Sequence, residues 1–224
     1  KLDAEAYLGQ LMPLFRPSES QTPSVTVQTA ADHMADTALQ AGDTTMFRQF
    51  LGDFLYYLAP KSGQEAKEGM KYLIDNYISG RSDIWKSKDD SLKVIGFAQI
   101  MDDLLSKALP GSRIADLKVP GDLFRNGKKI KTGQFKLSKV RGDRNVIIFY
   151  TEGCNVCDAE KAAARKLVAE SSLYRVLMVN VDRIVASDPA LANRLFDSLD
   201  LSSLPFIIET DRKGTILRRY ISLQ

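Results

Sequence analysis

The stretch NVIIFYTEGCNVCDAEKA, residues 145–162, holds both cysteines of the chain, Cys154 and Cys157. Its first six residues form a short β-branched and aromatic run, the pattern of a buried central strand. The residues after Cys154 read as a helix reaching about Glu170. The first cysteine therefore falls at a strand-to-helix junction, where unpaired backbone N–H groups and the positive end of the helix dipole gather. Two cysteines scattered at random in this chain would stand three apart only about once in a hundred, so the spacing carries information. One turn of helix brings the second thiol to the same side as the first, within disulfide reach. That placement favours the thiolate of Cys154 and predicts that Cys157 is the more buried of the two.

The remainder of the chain narrows the options. At 224 residues, 44% apolar and 26% charged, it has the composition of a globular protein large enough for two domains. No apolar run approaches the length of a membrane-spanning helix, and no signal peptide is visible. Two cysteines are too few for a disulfide-stapled scaffold. The single histidine, His33, lies far from them, so no metal site is expected, and no cofactor is implied. Net charge is +3, too small to indicate nucleic acid by itself. Residues 113–144 are locally basic, with ten Lys or Arg against Asp116, Asp122 and Asp143. The reading preferred there is a solvated β-hairpin region rather than a polyanion site.

The two halves follow different periods. Residues 1–109 carry helical stripes: Leu8, Leu11, Met12 and Phe15; Val27, Ala30, Ala31, Met34 and Leu39; Phe47, Phe50, Leu51, Phe54 and Leu55; Met70, Leu73, Ile74, Tyr77 and Ile78; Val94, Phe97, Met101, Leu104 and Leu105. Each helix has one apolar face, which predicts a small bundle. Trp85 reads equally as a lid on that bundle or as a contact to the second half. Residues 110–224 alternate strands and helices: strands at 145–150, 174–181, 206–209 and 215–221, a helix over 189–199, and a hairpin turn at Asp211–Gly214. That order predicts one parallel crossover followed by an antiparallel pair. The fold class expected is a two-part chain, an all-α bundle over 1–109 followed by an α/β domain over 110–224.

Taken together, NVIIFYTEGCNVC, Glu160 three residues after Cys157, VLMVNVD (176–182) and SSLPFIIETDRKGTILRRY (202–220) resemble the thioredoxin fold, in particular the envelope thioredoxins of the TlpA/ResA type. The resemblance spans about residues 110–221. It implies a thioredoxin-like domain lacking the usual C-terminal helix, which would leave one sheet face bare unless the helical half or a partner packs there. It implies a thiol-disulfide oxidoreductase with Cys154 as nucleophile and Cys157 as resolving thiol. Pro205 corresponds to the cis-proline that faces the cysteine pair, with the Leu204 backbone beside it for pairing with a substrate strand. Partners would be protein or peptide thiols and disulfides and a redox protein that donates or accepts electrons, with no nucleic acid. The helical half resembles a domain of uncharacterised function found ahead of such domains in bacterial envelope lipoproteins. That implies a periplasmic or outer-envelope location, with a lipid anchor outside this chain.

Several positions depart from the pattern. Gly153 stands in place of the flanking tryptophan, and Asn155-Val156 in place of Gly-Pro. Ile148 and Met178 stand where cytosolic thioredoxins keep a buried acid and its lysine. Cys157 therefore lacks the usual proton acceptor, a part that Glu160 could fill. Glu152, Asp158 and Glu160 are expected to surround the pair with negative charge, opposing the helix dipole. Two other readings stay open. The domain could be a non-catalytic scaffold with a static disulfide and a partner-binding helical half. It could also be a peroxidase, for which Thr151, three residues before Cys154, is in place.

Overall fold

The computed structural model describes residues 24–42, 44–85 and 89–224. The helix expected around Leu8–Phe15 lies outside them. The described residues divide into two compact units between Ser106 and Lys107.

The first unit is helical. Helix α1 is Ser24–Gln40, α2 Thr44–Leu58, α3 Gln64–Leu73, continued by a π-helical turn at Ile74–Ile78, and α4 Asp89–Leu105. Small residues let α1 approach its neighbours closely. Val27, Ala30, Ala31, Ala35 and Ala38 are all buried, and a Cβ placed on Gly69 of α3 would sit 2.7 Å from Val27. Leu39, expected in the stripe of α1, is instead exposed, because Ala35 and Ala38 continue the buried face. Trp85 is buried and donates its Nε1–H to the Tyr77 carbonyl at 2.7 Å, which ties it to the end of the π turn.

The second unit is built on a sheet of order β2-β1-β4-β3-β5-β6. The strands are β1 Lys118–Arg125, β2 Lys128–Lys136, β3 Arg144–Tyr150, β4 Tyr174–Asn180, β5 Phe206–Asp211 and β6 Ile216–Arg219. Strands β3 and β4 are parallel and joined by helix α5, Asn155–Glu170, while β5 and β6 add antiparallel. Period-two alternation divides the side chains between two faces. Ile147, Phe149, Leu177 and Val179 join the core under helices α6, Val181–Ser187, and α7, Pro189–Ser198. Val146, Ile148, Val176 and Met178 join Ala164 and Val168 of α5 on the other face.

The basic segment forms the expected hairpin, β1–β2, turned at Asn126-Gly127 with φ of 48° and 73° and paired through β1 to β4; such a turn needs positive φ at both positions. Two features differ from the sequence expectations. The strand expected to run through Val181 stops at Asn180, whose Oδ1 caps α6 by accepting from Arg183 N at 3.1 Å. The bare sheet face is not found. After β6 the residues to Gln224 form no helix, yet Ile221 and Leu223 pack on the α5 side of the sheet.

Candidate functional site

The site gathers where β3 ends. Tyr150 closes that strand, residues 151–153 turn, and Cys154 caps α5 with extended backbone angles, φ −107° and ψ 107°. Its Sγ accepts the Cys157 backbone N–H at 3.1 Å, one of the free donors at the helix start. Cys154 and Cys157 form a disulfide with Cα atoms 5.2 Å apart. Cys157 is fully buried and Cys154 half-buried, in the expected order. Gly153, where thioredoxins carry an aromatic ring, has φ +69° with open space around it, a conformation that a bulky side chain adopts only with strain.

The turn is pinned to the start of α6. Asp182 accepts the Thr151 hydroxyl at 2.6 Å and the Glu152 N–H at 2.9 Å. These two bonds, the hydroxyl's first, hold its carboxyl below the usual carboxylate range. Thr151, the residue that suggested a peroxidase, thus commits its hydroxyl hydrogen bond to Asp182. Asp182 lies in a helix that sequence reasoning missed. The signal was present as Asn180 followed by Asp182, a cap and a first-turn acid.

The three acids expected to crowd the disulfide are each engaged elsewhere. Glu152 accepts from Asn180 Nδ2 at 2.7 Å. Asp158 pairs with Lys161 at 2.8 Å, and the Lys161 ammonium lies 4.2 Å from the centre of the Tyr150 ring. Glu160 is buried on the inner face of α5 and takes hydrogen bonds from Ser222 Oγ at 2.5 Å, Leu223 N at 2.8 Å and Gln224 Nε2 at 3.3 Å. Its carboxylate anchors the residues after β6. Ile148 and Met178 oppose each other across β3 and β4, both buried among apolar side chains.

Leu204 and Pro205 lie at the same end of the sheet. Phe206 pairs with Phe149 across β5 and β3, so continuing the register sets Pro205 opposite Tyr150, four residues before Cys154. The Leu204–Pro205 peptide bond is cis. The segment leading into it is fixed by Asp200, a buried carboxylate that accepts from Ser202 N, Ser202 Oγ and the Tyr220 hydroxyl. Among the described residues no group of three or more His, Cys, Asp or Glu is arranged to hold a metal ion.

A sheet with a parallel crossover and an antiparallel hairpin, carrying a Cys-x-x-Cys disulfide at the start of the crossover helix, defines the thioredoxin-like class of protein. Comparison agrees: the AhpC/TSA family model matches residues 110–224, and the chain belongs to this thioredoxin-like family. No curated protein matches the chain. Among solved structures, mitochondrial thioredoxin 3 of Saccharomyces cerevisiae in its oxidised form shares 19% identity, with TM-score 0.30, over 39% of this chain and 73% of its own. The thioredoxin domain of a Bacteroides vulgatus thiol-disulfide oxidoreductase shares 16%, with TM-score 0.35, over 51% and 89%. A thioredoxin-like protein of Bacteroides caccae shares 12%, with TM-score 0.44, over 93% of each chain.

Proposed function

We propose that the protein is a thiol-disulfide oxidoreductase of the TlpA/ResA type that exchanges disulfides with protein partners. The observation that carries this reading is Cys154 itself. It is half-exposed at a helix start, it accepts an N–H from the backbone, and it is bonded to a buried Cys157. In the reduced protein the same N–H stabilises the Cys154 thiolate. That thiolate attacks a partner disulfide, forms a mixed disulfide, and releases one partner sulfur as a thiolate that takes up a proton. Cys157 then loses its proton and attacks Cys154 Sγ. The Cys154–Cys157 bond forms and the second partner thiol departs, so two electrons have passed to the partner. Run backwards, the same steps oxidise a dithiol. Leu204 offers its backbone to the partner strand beside the sulfur, with Pro205 next to it.

The test is reduction of a model protein disulfide by the dithiol form. Cys154→Ser is expected to abolish turnover, and Cys157→Ser to accumulate a mixed disulfide with the partner. Full activity in Cys154→Ser would refute the reading. The competing reading is a scaffold with a static disulfide. It draws support from Ile148 and Met178, which offer Cys157 no proton acceptor, and from Glu160, whose carboxylate is occupied. A reduction potential well below that of the glutathione pool, with a Cys154 thiol inert to alkylation, would favour it. A periplasmic or outer-envelope location accompanies the oxidoreductase reading on the sequence resemblance alone, and cell fractionation checks it.

A further inference from the structure

At the end of the sheet opposite the disulfide, the charges of Arg125, Arg141 and Arg212 act on Arg175, with Asp143 opposing them. Phe124 of β1 pairs with Val176 of β4, so continuing the antiparallel register sets Arg125 opposite Arg175. Like charges directly across a pair of strands repel. Arg175 is half-buried and donates its Nη1–H to the Val140 carbonyl at 3.0 Å. The loop it grips is tight: a Cβ on Gly142 would meet the Arg175 side chain at 3.0 Å, and the Asn145 side chain closes the loop by accepting Gly142 N–H and donating to the Gly142 carbonyl. The next residue after Val140 is Arg141, exposed and with φ +65°. Arg212 comes from the β5–β6 turn and is committed to Asp143, with bonds of 3.0 and 2.5 Å. Among the described residues no carboxylate forms an ion pair with Arg125, Arg141 or Arg175. The crowding is felt: burial first, then the charges of Arg125, Arg212 and Arg141, hold the Arg175 guanidinium below the usual arginine range, with Asp143 opposing.

We infer that Arg125, Arg141 and Arg175 form a binding site for a phosphate-type oxyanion, separate from the disulfide. The set retains three uncompensated cations in one place, at a cost that an anion relieves. Guanidinium groups give paired, charge-assisted hydrogen bonds to such oxygens, and the multiple negative charge of a phosphate matches the excess better than a single carboxylate does. The group could arrive on a soluble phosphate ester or on a lipid headgroup, and the chemistry at the arginines is the same.

The experiment follows thermal unfolding of the full chain in inorganic phosphate and in chloride at equal ionic strength. Phosphate is expected to raise Tm by about 3 °C over chloride once it saturates the site. Arg125→Gln and Arg141→Gln are exposed changes that leave the fold in place, and each should lose most of the phosphate response. Arg125→Gln should also melt no lower than the parent in chloride, because it removes one of two opposed cations. Co-sedimentation with phosphatidylcholine vesicles containing phosphatidic acid identifies the source. Retention that free phosphate competes away and Arg125→Gln loses points to a headgroup; a Tm response without retention points to a soluble ester. Equal Tm in phosphate and chloride together with no retention on the vesicles, or an undiminished response in both variants, overturns the site.

Discussion

Asp32 accepts the hydroxyls of both Tyr72 and Tyr77 in the helical unit, at 2.8 Å from Tyr72. Burial, then the bond to Asp32, raises the Tyr72 pKa from 10.0 to about 12, and the same causes raise Tyr77. The sign follows from the protonated form being the one that donates. Both tyrosines contribute stability below pH 10, and that contribution is lost as pH rises from 10 through about 12. Alkaline titration by ultraviolet absorbance is expected to show two late-ionising tyrosines. Asp32→Ala should move both back towards pH 10 and lower the stability of the helical unit. Neither tyrosine's role was readable from sequence, since Asp32 lies 40 residues before Tyr72 and a bond between them exists only once α1 and α3 pack. The cysteine pair stands at the other extreme. A spacing of three at a strand-to-helix junction already contains its chemistry, because the reach of a helical turn is local geometry.

At the scale of elements, helix stripes and buried strands were readable wherever periodicity was strong, as in β3, β4, α2 and α5. The failures have identifiable causes. Val181 continues the apolar run of β4, yet the backbone turns into α6 because Asn180 offers a cap and Asp182 then holds the Thr151–Glu152 turn. The basic segment was readable as a hairpin, but its pairing through β1 to β4 was not; the lysines along β2 suit the exposed edge of a sheet, where unpaired backbone groups invite association. Gly69 provides a test of element packing. With Val27 atoms 2.7 Å from where its Cβ would lie, Gly69→Ala must push α1 from α3. It is expected to cost about 1–3 kcal/mol despite the higher helix propensity of alanine, as measured by urea denaturation. A stabilised variant would show that the two helices yield.

At the scale of the molecule, each unit has its own apolar core, one among α1–α4 and one on each face of the sheet. Trp85, the sole tryptophan, reports on the first unit, and the reactivity of the reduced Cys157 thiol reports on the second. Urea unfolding is expected to give two transitions whose midpoints differ between these probes. Coincident midpoints would mean that the units unfold as one cooperative system.

The amino-acid sequence by itself determined the helical and α/β halves and two thiols within disulfide reach at the head of a helix, because periodicity and spacing are local, and the order of the elements predicted the parallel crossover. Tertiary structure alone decided that Glu160 anchors the residues after β6, that Asp200 fixes the approach to Leu204 and Pro205, and that Arg125 faces Arg175. Each of these joins groups far apart in the chain, and only strand register and helix packing bring them within hydrogen-bonding or Coulomb range.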